Sequence, residues 1–170
     1  MTLTRREFVQ LAAAMGASLA WGRSARASTT GWHERRDLYP EGVASGDPDP
    51  SSVILWTRRP FEERGAGAPG AKSSGRRVLT VQVAEDDGFR RVVAKASAPV
   101  SAESDWTTRV LVGRLEPARV YWYRFTDRDG NGSRVGRTIT APLPNDPRPV
   151  TFAFVSCQSV TKASSMAIAG

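Results

Sequence analysis

One thiol and one imidazole, Cys157 and His33, are all that the 170-residue chain offers of the two side chains most used for soft-metal and nucleophilic chemistry. Cys157 closes an apolar run, Phe152-Ala153-Phe154-Val155-Ser156. A thiolate at a strand end is a rigidly held ligand for a soft or borderline metal. The plainer reading is a small buried residue on a core strand. His33 is the chain's only histidine and lies near the N-terminal end of the domain, and Ser45 has no partner arrangement, so a Ser-His-Asp constellation is not expected. Asp127, Asp129, Asn131 and Gly132 follow the opening of a calcium loop, but Thr138 occupies the position where a bidentate acid should close it. A hairpin turn is the better reading of those residues. Gly65, Gly70, Lys72 and Ser73 approximate a phosphate loop, with Ala71 inserted before the lysine and no helix following. Glu85-Asp86-Asp87 reads as a solvated turn, because adjacent carboxylates point apart.

The elements that would position these residues are strands. From Val53 onward the apolar residues recur with period two in short runs: 52–57, 78–83, 90–96, 107–112, 120–125 and 136–140. Valine, isoleucine and aromatic residues dominate them, as a half-buried pleated surface requires. Asp129-Gly130-Asn131-Gly132 tolerates positive φ and predicts a hairpin, and 65–75 reads as a flexible loop. Leu115, Pro117 and Tyr121 have the spacing of a tyrosine corner, in which the phenol bonds backbone a few residues upstream. Tyr121, Tyr123 and Phe125 should then share one face, with Trp56 as the core aromatic opposite. Gly42, Ser45, Gly46, Asp47 and Pro48 are read as structural turn chemistry. The expected fold class is all-β: an immunoglobulin- or fibronectin type III-like sandwich over 38–142.

Ahead of that domain, Thr4-Arg5-Arg6-Glu7-Phe8 is a twin-arginine pattern. An apolar stretch runs from Val9 to Trp21, and Ala25-Arg26-Ala27 is a small-x-small cleavage signal. The stretch is short for a bilayer span of about 20 residues, so a cleaved leader is expected rather than a stable membrane anchor. Cleavage after Ala27 would start the mature chain at Ser28. The expected partner is the twin-arginine export machinery, and the expected destination is the periplasm or the extracellular space. The net charge is +7, and the arginines of the leader carry a large share of it. The remaining basic residues are scattered pairs rather than one stripe, so nucleic acid is not an expected partner. A single cysteine allows no intramolecular disulfide, leaving core burial to stabilise the domain.

Three segments, in order, resemble the PhoD-like alkaline phosphatase family. Gly42-Val43-Ala44-Ser45-Gly46-Asp47-Pro48 resembles the opening of that family's N-terminal domain. Val53-Ile54-Leu55-Trp56-Thr57-Arg58 resembles the strand after it, and Phe152 to Gln158 resembles the strand that begins its metallophosphatase domain. The resemblance implies a metal-dependent phosphatase or phosphodiesterase acting on phosphoesters, with Fe3+ and Ca2+ in the full-length enzyme. It implies that Cys157 is a ferric ligand in a complete domain.

The organisation this suggests is a signal peptide over 1–27, a linker over 28–37 and the sandwich over 38–142. A linker over 143–149 and a truncated start of an α/β metallophosphatase domain over 150–170 follow. Ser159 to Gly170 contain no Asp, Glu, His or Tyr, and the family's G-D-x-I-Y-E segment is missing. A fragment or frame-shifted reading frame is therefore expected, with no catalytic residue, no cofactor bound and no catalysis by this chain alone. Without its sheet, 150–156 is expected to be disordered, mispaired or weakly docked. The competing reading is a self-standing exported binding module of the fibronectin type, using 65–75 as a contact loop.

Overall fold

The computed structural model describes residues 18–21, 26–61, 76–149, 151 and 153. Two sheets form. The first has the order β1 (Ser18–Trp21), β7 (Thr107–Gly113), β4 (Ser52–Arg58), β3 (Val43–Asp49). The second runs β2 (His33–Glu34), β9 (Asn131–Gly132), β8 (Val120–Thr126), β5 (Arg77–Ala84), β6 (Val92–Val100), with β10 (Gly136–Ile139) also on β8. A 3-10 turn, Ala102–Ser104, precedes β7.

Alternation decides which residues meet between the sheets. Val53, Leu55, Val110 and Val112 of the first sheet face Leu79, Val81, Val83, Tyr121, Tyr123 and Phe125 of the second, all buried. The three aromatic residues of β8 share the inner face, as the period predicts. Trp56 does not join them. It is half-buried on the outer register of β4, with Ile54 and Arg58, opposite Ala44 and Arg109 on the neighbouring strands. The expectation of a core Trp56 is corrected: Leu55 and Thr57 hold the inner positions on either side of it. Tyr39, 1% exposed, supplies a further core aromatic from the segment before β3.

Two other expectations change. Val43–Asp49 is an edge strand on β4 rather than turn alone, with a register shift between Gly46 and Asp49. The turn chemistry is confined to its end, where Asp47 has φ 49° and Asp49 Oδ1 accepts the Ser51 N–H at 3.0 Å. The stretch 28–37 is built into the domain through β2, which pairs parallel with β9, instead of hanging as a linker.

Candidate functional site

Two clusters of polar side chains are buried in the sandwich, and each sits where a distant segment covers a strand. The first lies at one end of the molecule. Arg59, just past β4, and Asp127, just past β8, form an ion pair at 3.1 Å with side chains 9% and 4% exposed. The Arg59 guanidinium also lies over the rings of Phe61, at 4.2 Å, and Tyr39, at 5.6 Å. Asp127 Oδ1 accepts the N–H groups of Asp129 and Asn131, each at 3.0 Å, closing the hairpin. The Asn131 side-chain amide donates to both Asp127 oxygens, and Tyr39 donates its hydroxyl to the Asn131 carbonyl at 3.1 Å. The carboxylate is thus committed to an arginine and a turn. The residues that open the calcium-like pattern are a structural clasp between the ends of the two sheets.

The second cluster lies on the outer face of the second sheet. Arg124 is in the outward register of β8, yet it is only 7% exposed. It lies over the ring of Phe89 at 3.9 Å and that of Trp32 at 5.1 Å. Its Nε and Nη2 donate to Gln82 Oε1 at 3.1 and 3.0 Å, and Nη2 donates to Ser28 Oγ at 3.2 Å. Burial lowers the Arg124 pKa from its ordinary value. Trp32 is pinned by donating its indole N–H to the Ser133 carbonyl, and Gly132 leaves room for that ring: a Cβ there would stand 2.1 Å from it. Beside the cluster runs a groove of about 570 Å³, floored by Gln82 and Val92–Lys95 and walled by Arg26–Thr30. Lys95 Nζ donates across it to Thr30 Oγ1 at 3.3 Å. The hydroxyls here have no imidazole base: among the described residues none is hydrogen-bonded to His33, which is exposed on β2. The groove can hold polypeptide or polar groups, but none of its described lining residues activates a nucleophile.

The other residues singled out from sequence fall as follows. Tyr121 accepts the Glu116 N–H at 2.9 Å, with Leu115 6% exposed beside it and Pro117 at the exposed turn between them. That is the geometry of a tyrosine corner. Gly42, with φ 70°, makes the turn into β3, and its carbonyl accepts the Thr57 hydroxyl at 2.8 Å. Ser45, Gly46, Asp47 and Pro48 are exposed on the edge strand. Glu85 meets Arg91 and Arg119, whereas Asp86 caps the turn through the N–H groups of Arg90 and Arg91. Those backbone bonds hold the Asp86 carboxyl below its usual pKa. Arg5, Arg6, Phe8, Cys157 and the loop 65–75 lie outside the described residues. Sequence reasoning missed the Arg124 and Arg59 clusters; the one signal available was a charged residue, Arg124, inside an otherwise aromatic strand.

Fold and clusters define a class first: a two-sheet β-sandwich of immunoglobulin-like architecture, clasped between its sheets at one end and carrying no assembled metal-binding group among the described residues. The model of the PhoD-like phosphatase N-terminal domain matches residues 23–142, and the chain belongs to that family. It is 37% identical over 167 residues to alkaline phosphatase D of Bacillus subtilis (strain 168), covering 92% of this chain and 27% of that protein. The solved structure of PhoD superposes with a TM-score of 0.56 at 35% identity, over 66% of this chain and 21% of the other. A fibronectin type III domain from a human protein gives a TM-score of 0.44 at 15% identity, over 69% of this chain and 84% of that one. The chain therefore spans about a quarter of the length of the curated relative.

The ferric and calcium ions implied for the full-length family find no fitting donor set in the described residues. No three His, Cys, Asp or Glu side chains converge there, and the Asp127 carboxylate is taken by Arg59 and Asn131. Among the described residues no helix is long and apolar enough to cross a membrane.

Proposed function

We propose that this chain is the exported, non-catalytic front module of a metal-dependent phosphoester hydrolase. Its sandwich serves as a rigid body against which a following catalytic domain is placed. The reading is carried by the family match over residues 23–142, which falls on the sandwich. The commitment of both buried polar clusters to structural bonds supports it. In this reading Cys157 would act as an iron ligand only within a completed metallophosphatase domain. Phosphoesters are the substrates of that whole protein, and the twin-arginine machinery is the partner of residues 1–27.

Two measurements test it. The purified chain, supplied with Fe3+ and Ca2+, is assayed on an aryl phosphate monoester and diester. The expected rate equals that of the metal-only blank; turnover that disappears in Cys157→Ser overturns the non-catalytic assignment. For export, the Arg5→Lys, Arg6→Lys double variant should remain in the cytoplasm, while the unsubstituted chain leaves it with Ser28 as its first residue. A product that leaves equally well without the arginines contradicts the leader assignment.

A further inference from the structure

The groove beside Arg124 is walled on one side by Arg26–Thr30, and those residues span the expected cleavage point. Arg26 and Val92 exchange two backbone hydrogen bonds: Arg26 N–H to the Val92 carbonyl at 3.1 Å, and Val92 N–H to the Arg26 carbonyl at 2.8 Å. On the other side of Ala27, the Ser28 N–H donates to the Phe89 carbonyl at 3.0 Å. The Ser28 hydroxyl donates to Gln82 Oε1 at 3.1 Å and accepts from Gln82 Nε2 at 2.8 Å and from Arg124 at 3.2 Å. Upstream, β1 pairs parallel with β7, Ser18 opposite Val110 through Trp21 opposite Gly113. β7 and β6 are the open edges of the two sheets once this segment is set aside. Residues 18–21 therefore pair with the open edge of one sheet, and Arg26 and Ser28 bond to the other sheet at its open edge strand and the turn that leads into it.

We propose, resting on the leader reading above, that the folded sandwich docks residues 18–21 and 26–27 of its leader on these two edges and holds the Ala27–Ser28 bond closed to the signal peptidase. A peptidase reads an extended segment through the backbone N–H and C=O groups on either side of the scissile bond, as strand addition does. Here those groups on Arg26 and Ser28 are already bonded to Val92 and Phe89. Docking and cleavage compete for the same polar atoms, so processing waits on release of this segment. Hydrolysis adds one water across the Ala27–Ser28 amide, leaving a carboxylate on Ala27 and an ammonium on Ser28. Before cleavage the leader also blunts two strand edges that would otherwise invite pairing with another chain.

The Val92 amide reads docking directly, because its acceptor leaves with the leader. Amide exchange is compared between the full chain and one made to begin at Ser28. Exchange at Val92 should be at least ~10-fold slower in the full chain, while core amides such as Val81 exchange alike in both. Equal exchange at Val92 overturns the docking. The competition is read with purified signal peptidase on the full chain, on its Gln82→Ala variant, and on a free peptide of residues 18–34. The peptide should be cut at least ~10-fold faster than the folded chain, and Gln82→Ala, outside the recognised segment, should be cut at an intermediate rate. Equal rates for peptide and folded chain overturn the competition. A peptide left intact instead sinks the leader reading itself, and the exchange experiment still decides whether the segment is docked.

Discussion

A buried arginine paired with a turn carboxylate sets how the two sheets meet at one end. Arg59 and Asp127 are too buried for solvent to screen them, so removing one leaves an uncompensated charge. Asp127→Ala should destabilise the domain by about 3–5 kcal/mol in urea denaturation. The Arg59→Met, Asp127→Ala double variant should lose less than the sum of the two single changes, because the methionine can keep the contact with Phe61. Millimolar Ca2+ should leave the melting temperature of the unsubstituted chain unchanged, since Asp127 has no oxygen to give. At the tyrosine corner the contribution is smaller. Tyr121→Phe removes the acceptor of the Glu116 N–H and should cost about 1–2 kcal/mol, measured the same way. That bond was legible in advance because Leu115, Pro117 and Tyr121 are close in sequence and the contact is local. The Arg124 cluster was not, because Ser28 lies 96 residues away from the arginine it meets.

Among the strands, period two separated the faces of β4 but did not by itself say which face is inner. Both registers are apolar: Val53 and Leu55 on one, Ile54 and Trp56 on the other. The larger aromatic made the second register attractive as core. Arg58 belongs to that same register and reaches Glu41 at 2.8 Å and Asp105 at 3.0 Å in partly exposed ion pairs, which fixes it as the outer one. A charge at the end of the run was the better guide than ring size at its centre. The consequence is measurable. Leu55→Ala should destabilise by about 2–5 kcal/mol, the cost of a cavity between the sheets. Trp56→Ala should cost clearly less despite removing a larger side chain, and the reverse order would return Trp56 to the core. The edge strand β3 and the pairing of 33–34 with β9 show a second limit. Neither segment alternates: β3 is extended because the adjoining strand β4 bonds its backbone, and 33–34 because β9, far along the chain, does.

For the molecule as a whole, stability rests on burial, and all three of its tyrosines take part. Tyr39, Tyr121 and Tyr123 are each no more than 2% exposed, and the chain has no other tyrosine. Burial raises all three phenol pKa values, that of Tyr123 to about 12, because the phenolate cannot be solvated between the sheets. Each phenol is uncharged when protonated, so between about pH 10 and 12 the folded state keeps protons that the unfolded chain has released. The stabilisation is therefore complete below the unfolded phenol range, and it fades as pH rises through the folded values. No disulfide within the chain opposes the loss, since Cys157 is its single cysteine. Phenolate absorbance and far-ultraviolet circular dichroism, followed together from pH 8 to 13, should therefore change in one cooperative step above the ordinary tyrosine range. Phenolate absorbance that is complete near pH 10 while the β signal persists would place these rings in water instead of between the sheets.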